Sequence, residues 1–297
     1  MSFFSQAPVE IEIKFDGEEA RQIIDTKDKD KNTHHLAPLY GADETVKGSV
    51  IIRPRDGRKV EHTGIKVQFI GAIEFKEDKS QPNEFISWAR ELAAPGEVRH
   101  AETYTFEFKN VEKQFESYNG LSVKLRYFVR VTMFRRMNDI VREKDLWVYQ
   151  YKPEPEGTAM VRMDVGIEDC MHIECEYSKS NFHLKDVIIG RIYFTLVRLK
   201  LKHMELSLIR KESVGVPPNN TSQTETVVRF EIMDGAPVKG ETIPIRLFLS
   251  GFDLVPTMRD VNKKFSVRTY LSFVLVDDAG RRYFKQREIG IYRSSEE

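Results

Sequence analysis

The densest group of metal-binding and nucleophilic residue types in the chain lies between positions 170 and 175. Cys170, His172 and Cys175 offer two thiols and an imidazole, which are ligands that zinc prefers. On a strand, Cys170, His172 and Glu174 would share one face, whereas Cys175 would point to the other face. A structural zinc site needs four converging ligands, and no Cys-x-x-Cys pair lies elsewhere in the chain to complete it. We therefore expect no metal or cofactor here, and two small buried thiols on a core strand.

The sequence shows no arrangement that is typical of catalysis. Residues 235–242 nearly spell a phosphate-binding loop, but Glu241 occupies the position of the lysine that would meet the phosphates. Such a loop must also be followed by a helix, and residues 243–245 read as a strand. The motifs GxGxxG, GxSxG and HExxH do not occur. We expect a protein without enzymatic activity, and a metal-dependent enzyme built on the thiols and His172 remains an alternative.

Composition and charge exclude several other classes of function. The 46 basic and 46 acidic residues give a formal net charge of zero, whereas proteins that bind phosphate backbones usually have a basic excess. Nucleic acid is therefore not an expected partner, and bulk charge does not support direct membrane binding. The first residues do not resemble a secretory signal, and no apolar run approaches 18 residues. We expect a cytoplasmic protein.

A period of two dominates the chain and predicts β-strands. Residues 9–15, 103–108 and, apart from Phe128, 123–131 alternate apolar and polar side chains, as half-buried strands do. Residues 187–209 predict a long strand, a bend and a second strand. Turn pairs such as Asn119-Gly120 and Asp234-Gly235 separate many of these segments. Further strands are expected at 46–53, 64–76, 140–149, 170–177, 226–232, 242–250, 265–276 and 282–292.

One segment, residues 84–93, departs from this alternation and predicts a short helix. It ends before Pro95-Gly96, which is a helix stop. Its apolar residues have helical spacing: Phe85, Ile86, Trp88, Ala89 and Leu92.

A proline-rich stretch divides the chain almost in half. Pro153 and Pro155 lie two positions apart and cannot both belong to a strand ladder, so residues 151–158 are expected to form an extended linker. The predicted domains are residues 1–150 and 159–297. Many short strands, tight turns and one short helix indicate an all-β protein of two immunoglobulin-like β-sandwich domains in tandem.

A weak internal repeat supports two related halves. Val-x-Gly-x-aliphatic occurs at 46–50, a similar string occurs at 238–243, and 187–192 resembles it with one extra residue. A glycine just inside a strand indicates a bulge or a close approach of two backbones.

Over nearly its whole length the sequence resembles the arrestin-like subunit of the endosomal retromer coat. The longest specific string, residues 231–241, reads Glu-Ile-Met-Asp-Gly-Ala-Pro-Val-Lys-Gly-Glu. The other matching strings are residues 111–118, 125–128, 165–170, 183–188, 203–206, 243–249, 257–268 and 281–286. Residues 151–160 and 214–224 match poorly.

The resemblance implies an arrestin-like fold and a scaffold without catalysis, peripheral on endosomal membranes. The family docks on the end of the long α-solenoid retromer subunit. Its docking loop corresponds to Ile232, Met233, Asp234 and Gly235. A bent turn can expose Ile232 and Met233 together, and exposed apolar loop residues make interface anchors. The competing interpretation is that Ile232 belongs to the core and Met233 covers it.

The resemblance also implies capture of membrane cargo. The family acts with a phox-homology sorting nexin, and the cytosolic tail of the cargo adds as a strand at the seam between the two sandwiches. The corresponding positions are Val165 and Phe284, which could frame an apolar pocket or belong to a plain sandwich core. Contact with the membrane is then indirect, through the coat.

The alternatives to a retromer scaffold are two other classes of adaptor and a paralogous endosomal complex with a different solenoid. Ubiquitin-ligase adaptors of the arrestin class carry Pro-Pro-x-Tyr, and here Pro217-Pro218 is followed by two asparagines. Clathrin-binding arrestins carry a Leu-aliphatic-x-aliphatic-acid box, and residues 208–212 break that pattern at Lys211. The paralogous complex remains the main alternative.

Overall fold

Strands form most of both halves of the chain. The computed structural model describes residues 7–27, 34–57, 59–77, 81–156, 159–167, 169–215, 218 and 220–295. The chain falls into two compact units, Met1–Gln150 and Tyr151–Glu297. In the described residues, three 3-10 turns accompany the strands, at Glu18–Ala20, Arg55–Gly57 and Leu249–Gly251. The protein is all-β with several sheets, as an arrestin-like tandem of β-sandwiches requires.

The first unit contains twelve strands in its described part. They are β1 (Val9–Phe15), β2 (Ile23–Lys27), β3 (His34–Gly41), β4 (Val46–Pro54), β5 (Val60–His62), β6 (Gly64–Phe75), β7 (Asn83–Ala93), β8 (Gly96–Val98), β9 (Glu102–Phe108), β10 (Tyr118–Asn119), β11 (Val123–Phe134) and β12 (Ile140–Tyr149).

Two main sheets build this unit. The smaller sheet has the order β1-β4-β9, and the larger has the order β2-β3-β12-β11-β6-β7 with β10 added beside β11. A separate pair joins β5 to β8. Inward-facing residues of both sheets form the core, where the ring centroids of Phe69 and Tyr127 stack 6.0 Å apart. On the opposite face of the larger sheet, Ile70, Ala72 and Phe128 form a second buried cluster. The guanidinium of Arg126 covers it, with Cζ 4.2 Å from the centre of the Phe128 ring.

The short helix predicted over residues 84–93 is wrong, because these residues belong to strand β7. Gly71 pairs with Ile86 and Ala72 pairs with Glu84, so Phe85 is an extra residue in a β-bulge. A second register shift leaves Leu92 unpaired. Two bulges in one strand interrupt the alternation of apolar residues, and the resulting spacing imitates that of a helix.

The second unit is a β-sandwich of ten strands in its described part. They are β13 (Val161–Ile167), β14 (Met171–Tyr177), β15 (Asn181–His183), β16 (Val187–Val197), β17 (Leu201–Val214), β18 (Thr221–Asp234), β19 (Thr242–Phe248), β20 (Met258–Val261), β21 (Phe265–Asp277) and β22 (Arg282–Tyr292).

A single large apolar cluster holds this sandwich together. One sheet has the order β13-β14-β16-β19, and the other has the order β15-β22-β21-β17-β18 with β20 beside β21. Ile173 and Ile192 from the first sheet meet Leu206 and Phe273 from the second, all fully buried. The predicted long strand, bend and second strand over residues 187–209 correspond to β16 and β17, although β17 extends to Val214.

Two glycines of the weak repeat lie where backbones approach closely. A Cβ atom on Gly48 would stand 2.1 Å from the carbonyl oxygen of Lys14, and one on Gly190 would stand 2.5 Å from that of Glu176. The interpretation of these two glycines is therefore confirmed. Gly240 differs, since it has space around it and a φ of +88°, which favours glycine for conformational reasons.

Residues 151–156 have no regular secondary structure, and the remaining predicted linker residues, 157 and 158, lie outside the described part of the chain. Among the described residues, none of the helical segments has the length and apolarity needed to cross a membrane.

Candidate functional site

A β-bulge shapes the end of strand β18, where the expected docking residues lie. Met233 pairs with Met204 and Glu231 pairs with Glu205, so Ile232 between them is unpaired. The bulge lets the two consecutive residues Ile232 and Met233 turn towards the same side. Both are half-buried and pack against the edge of the apolar core. The two residues therefore contact the core and still present surface to solvent, and their role in docking stays a prediction.

The turn after β18 is fixed at both ends by backbone hydrogen bonds. Gly235 has a φ of +93° and donates its N–H to the carbonyl of Lys202 at 2.8 Å. At the far end, Gly240 donates to the carbonyl of Phe194 at 2.7 Å. Between them Val238 is 68% exposed, while Asp234 is exposed at the start of the turn. Hydrogen bonds thus hold the backbone of the turn in place, and the turn exposes apolar side chains. These two properties suit a binding surface that is already formed before a partner protein docks.

Val165 and Phe284 lie in different environments within the second unit. Val165 on β13 is buried in the apolar cluster between the two sheets. Phe284 on β22 is 69% exposed on the outer face of the larger sheet, since its neighbour Tyr283 packs towards the core. Within this unit the two side chains do not line a common pocket.

Phe284 borders a shallow cavity of about 320 Å³ on the outer face of the larger sheet. Val274 and Ile209 supply further apolar surface, and Glu205 lies at one end. The carboxylate of Glu205 is buried although it is charged. Three neighbouring side chains compensate the cost of burying this carboxylate. Arg282 donates to one of its oxygens at 3.0 Å, Arg229 Nε lies 3.6 Å from the same oxygen, and His203 Nε2 lies 3.2 Å from the other.

The cysteine and histidine cluster does not form a thiolate site. Cys170 lies in an exposed turn, so the expectation of a buried thiol is wrong for this residue. Cys175 is buried on β14, as expected, and burial raises the pKa of its thiol to about 12. On the opposite, outer face, Asp164, His172 and Glu174 bring ligand atoms within 4.8 Å of one another. Because the two thiols lie apart from this group, they cannot join its imidazole in a zinc site.

Sequence reasoning missed two features of these surfaces. Val238 belongs to the rejected phosphate loop, to the weak repeat and to the longest matching string, and none of these indicated its exposure, although an apolar residue inside a Pro- and Gly-containing turn is a usable signal of exposure. The cluster around Glu205 joins three strands, β17, β18 and β22, and nothing in the local sequence marks residues that meet only across a sheet.

Comparison with known proteins identifies close relatives. The family model described as Vacuolar protein sorting-associated protein 26 matches residues 5–280. A protein of that name from Schizosaccharomyces pombe is 55% identical over 297 residues, which cover 100% of this chain and 99% of the relative. Vacuolar protein sorting-associated protein 26B from Xenopus tropicalis is 49% identical over 298 residues, covering 100% of this chain and 88% of the relative.

Proposed function

Because the chain belongs to the Vps26 family of vacuolar protein sorting-associated proteins, we propose that it is a non-catalytic scaffold and adaptor of the retromer coat. It binds the α-solenoid subunit of that coat and works in the cytoplasm, peripherally on endosomal membranes. The observation that carries this proposal is the bulged, pinned turn that ends β18.

The chemistry of this turn fits the groove between helices of a solenoid. Met233 and Val238 offer apolar surface that can fill a pocket, and Asp234 adds a charge at the rim. Because Gly235 and Gly240 already fix the backbone, little conformational entropy is lost when the turn docks. Ile232 supports the turn from beneath by its contact with the core.

We further propose that cargo tails are captured together with a phox-homology sorting nexin. Phe284 is the contributing residue with an exposed aromatic face, and the adjoining cavity offers an apolar floor beside two arginines. Val165 contributes from below the surface, by supporting the strand on which a tail would be recognised.

Titration calorimetry with the purified α-solenoid subunit tests the scaffold role. The parent chain should bind with a stoichiometry of one and the double variant Ile232→Asp, Met233→Asn should lose binding. The matched control is Ile189→Asp, Phe248→Asn, which makes the same kinds of change at two exposed apolar positions of the same unit. It should bind as the parent does.

Ile232 and Met233 also contact the core, so unfolding of the double variant is a second way to lose binding. Asp234→Arg avoids this difficulty because it alters only an exposed charge. It should weaken binding about tenfold or more without changing the melting temperature. A folded parent that does not bind this solenoid would contradict the proposal and favour a paralogous endosomal complex.

A further inference from the structure

Three metal-binding side chains converge on the outer face of the four-stranded sheet in the second unit. Asp164 projects from β13, and His172 and Glu174 project from β14. Val165 and Ile173, which alternate with them, are buried in the apolar cluster, so the three polar side chains share the opposite face. A ligand atom of each lies within 4.8 Å of those of the other two.

The strand register places two like charges directly opposite each other. Asp164 pairs with Glu174 in the antiparallel ladder of β13 and β14, which brings their side chains next to each other. Two carboxylates in this position repel each other and destabilise the sheet unless a positive charge compensates them. The next pair along the ladder has such a charge, since Arg162 pairs with Glu176 and its Nε lies 3.6 Å from that carboxylate.

No lysine or arginine of the described chain compensates the pair of Asp164 and Glu174. The ion-pair partner of Glu174 is His172, whose Nε2 lies 3.8 Å from Oε1, and Asp164 has none among the described residues. Tyr193 lies opposite Glu174 on β16, but its hydroxyl donates to Glu176 at 2.7 Å. With a neutral imidazole the group carries two negative charges, which one divalent cation would cancel.

The imidazole of His172 is placed to reach both strands. Its partner on β13 is Gly166, and a Cβ atom on that glycine would stand 3.8 Å from Nδ1. The ring therefore leans over the glycine towards β13, while Nε2 faces the carboxylate of Glu174. The carbonyl of His172 accepts the hydroxyl of Thr195 at 3.0 Å, which holds the backbone from which the ring projects.

The donor set selects the class of ion. Carboxylate oxygens bind most divalent ions, but an imidazole nitrogen favours zinc and its transition-metal neighbours over Mg²⁺ and Ca²⁺. Ligand atoms about 2.1 Å from a zinc ion lie about 3.4 Å apart in a tetrahedron. The nitrogen of His172 and the oxygen of Glu174 are 3.8 Å apart, and small rotations of these half-exposed side chains close the difference. Because the face is exposed, water can complete the coordination.

We propose that Asp164, His172 and Glu174 bind one zinc ion, which links strand β13 to β14. β13 is the edge strand of the order β13-β14-β16-β19, so the ion adds a link where the sheet ends. The sequence-based expectation of no metal rests on the two cysteines and does not include Asp164, which comes from a different strand. The site is separate from the turn that ends β18, so this proposal does not depend on the scaffold role.

Titration calorimetry of the full chain with zinc chloride, in a buffer that contains excess magnesium, tests the site. One Zn²⁺ should bind per chain, and Asp164→Asn, His172→Gln and Glu174→Gln should each weaken binding about tenfold or more. The matched control His34→Gln, His35→Gln removes two histidines of the first unit and should bind as the parent does. Absence of saturable binding by the folded parent would overturn the proposal. So would an equal loss of binding in the control variant.

Thermal unfolding supplies a second readout, which the loss of an ordinary surface contact would not give. In the presence of EDTA, Asp164→Asn should melt at the same temperature as the parent or higher, because it removes the repulsion between the two carboxylates. With excess zinc the order should reverse, since the ion stabilises the parent more than the variant. An order of melting temperatures that zinc leaves unchanged would contradict the proposal.

Discussion

At the scale of single residues, the clearest constraint comes from glycines whose missing side chain allows two strands to meet. Gly48 lies against Lys14 across β4 and β1, and Gly190 lies against Glu176 across β16 and β14. In both places the nearest atom is a backbone carbonyl oxygen, which cannot rotate away as a side chain could. The sequence marked these positions because a glycine within a strand is otherwise unfavourable.

We expect Gly48→Ala and Gly190→Ala each to lower the free energy of unfolding by about 1–3 kcal/mol, since the added methyl group must displace a strand. Urea unfolding followed by circular dichroism measures this. Gly41→Ala is the control, because it lies in a strand with no atom within 4 Å of the added group. Equal stability of Gly190→Ala and the parent would show that the two strands are further apart than described.

Lys113 is a second residue whose environment has a measurable consequence. Its ammonium group is fully buried and donates to the carbonyls of Ala42 at 3.1 Å and Glu44 at 2.6 Å. Burial lowers its pKa from 10.5 to about 8. Between these two values the unfolded chain binds more protons at this site than the folded chain.

The free energy of unfolding should therefore contain a component that rises with pH from about 8 to 10. In Lys113→Met this component should be absent, so the pH profile over that range becomes flatter. Urea unfolding at several pH values checks the difference between the two profiles. Above pH 10 the buried tyrosines act in the opposite sense, because burial raises the pKa of Tyr40 and Tyr177 to about 12. Parallel profiles for parent and variant would contradict the assignment.

At the scale of elements, strand β7 shows where sequence patterns mislead. Alternation correctly predicted β1, β9 and β11, because their partners run without a bulge in the paired stretches. In β7, bulges at Phe85 and Leu92 each shift the alternation by one residue. A bulge is selected by the partner strand and by the packing around it, neither of which is encoded in the local spacing.

Phe85 and Trp88 distinguish the two interpretations of this segment. In a helix, residues three apart share a face and would lose similar stability on truncation. In the bulged strand, Phe85 contacts Phe115 and Tyr127 at centroid distances of 5.5 and 5.7 Å, while Trp88 is 52% exposed. We expect Phe85→Ala to cost about 2–3 kcal/mol and Trp88→Ala less than about 1 kcal/mol, measured by urea unfolding. Equal costs would favour the helix.

The same reasoning applies to the end of β18. Adjacent apolar residues at Ile232 and Met233 raised the question of which one is buried, and the sequence could not decide it. Because β18 is bulged opposite Met204 and Glu205, Ile232 and Met233 both contact the edge of the core, and both are partly buried. The turn beyond them was predictable from Asp234-Gly235, since the positive φ of Gly235 suits that residue type.

At the scale of the whole molecule, the all-β class followed from the sequence because period-two alternation depends only on which face of a strand is buried. Sheet order did not follow, since the parallel pairings of β3 with β12 and of β15 with β22 join residues far apart in sequence. The environments of Val165 and Phe284 were hidden for the same reason. Which face each residue occupies depends on the register of strands that the sequence does not align.

We propose that the two units are separate folding domains joined by residues 151–158. Residues 1–150 and 159–297, expressed alone, should each unfold cooperatively in urea and give dispersed amide resonances. Each unit has its own sheets and buried apolar side chains, which is the physical requirement for independent folding. A fragment that remains collapsed without dispersed resonances would show that the units depend on one another.

The central claim is that the turn ending β18 docks on the α-solenoid retromer subunit. Amide hydrogen exchange of the full chain, with and without that subunit, tests it most directly. We predict that exchange slows by about tenfold or more in the peptides covering residues 230–241 and stays unchanged around Ile189 and Phe248. A complex in which residues 230–241 exchange as fast as in the free protein, with protection elsewhere, would contradict the account.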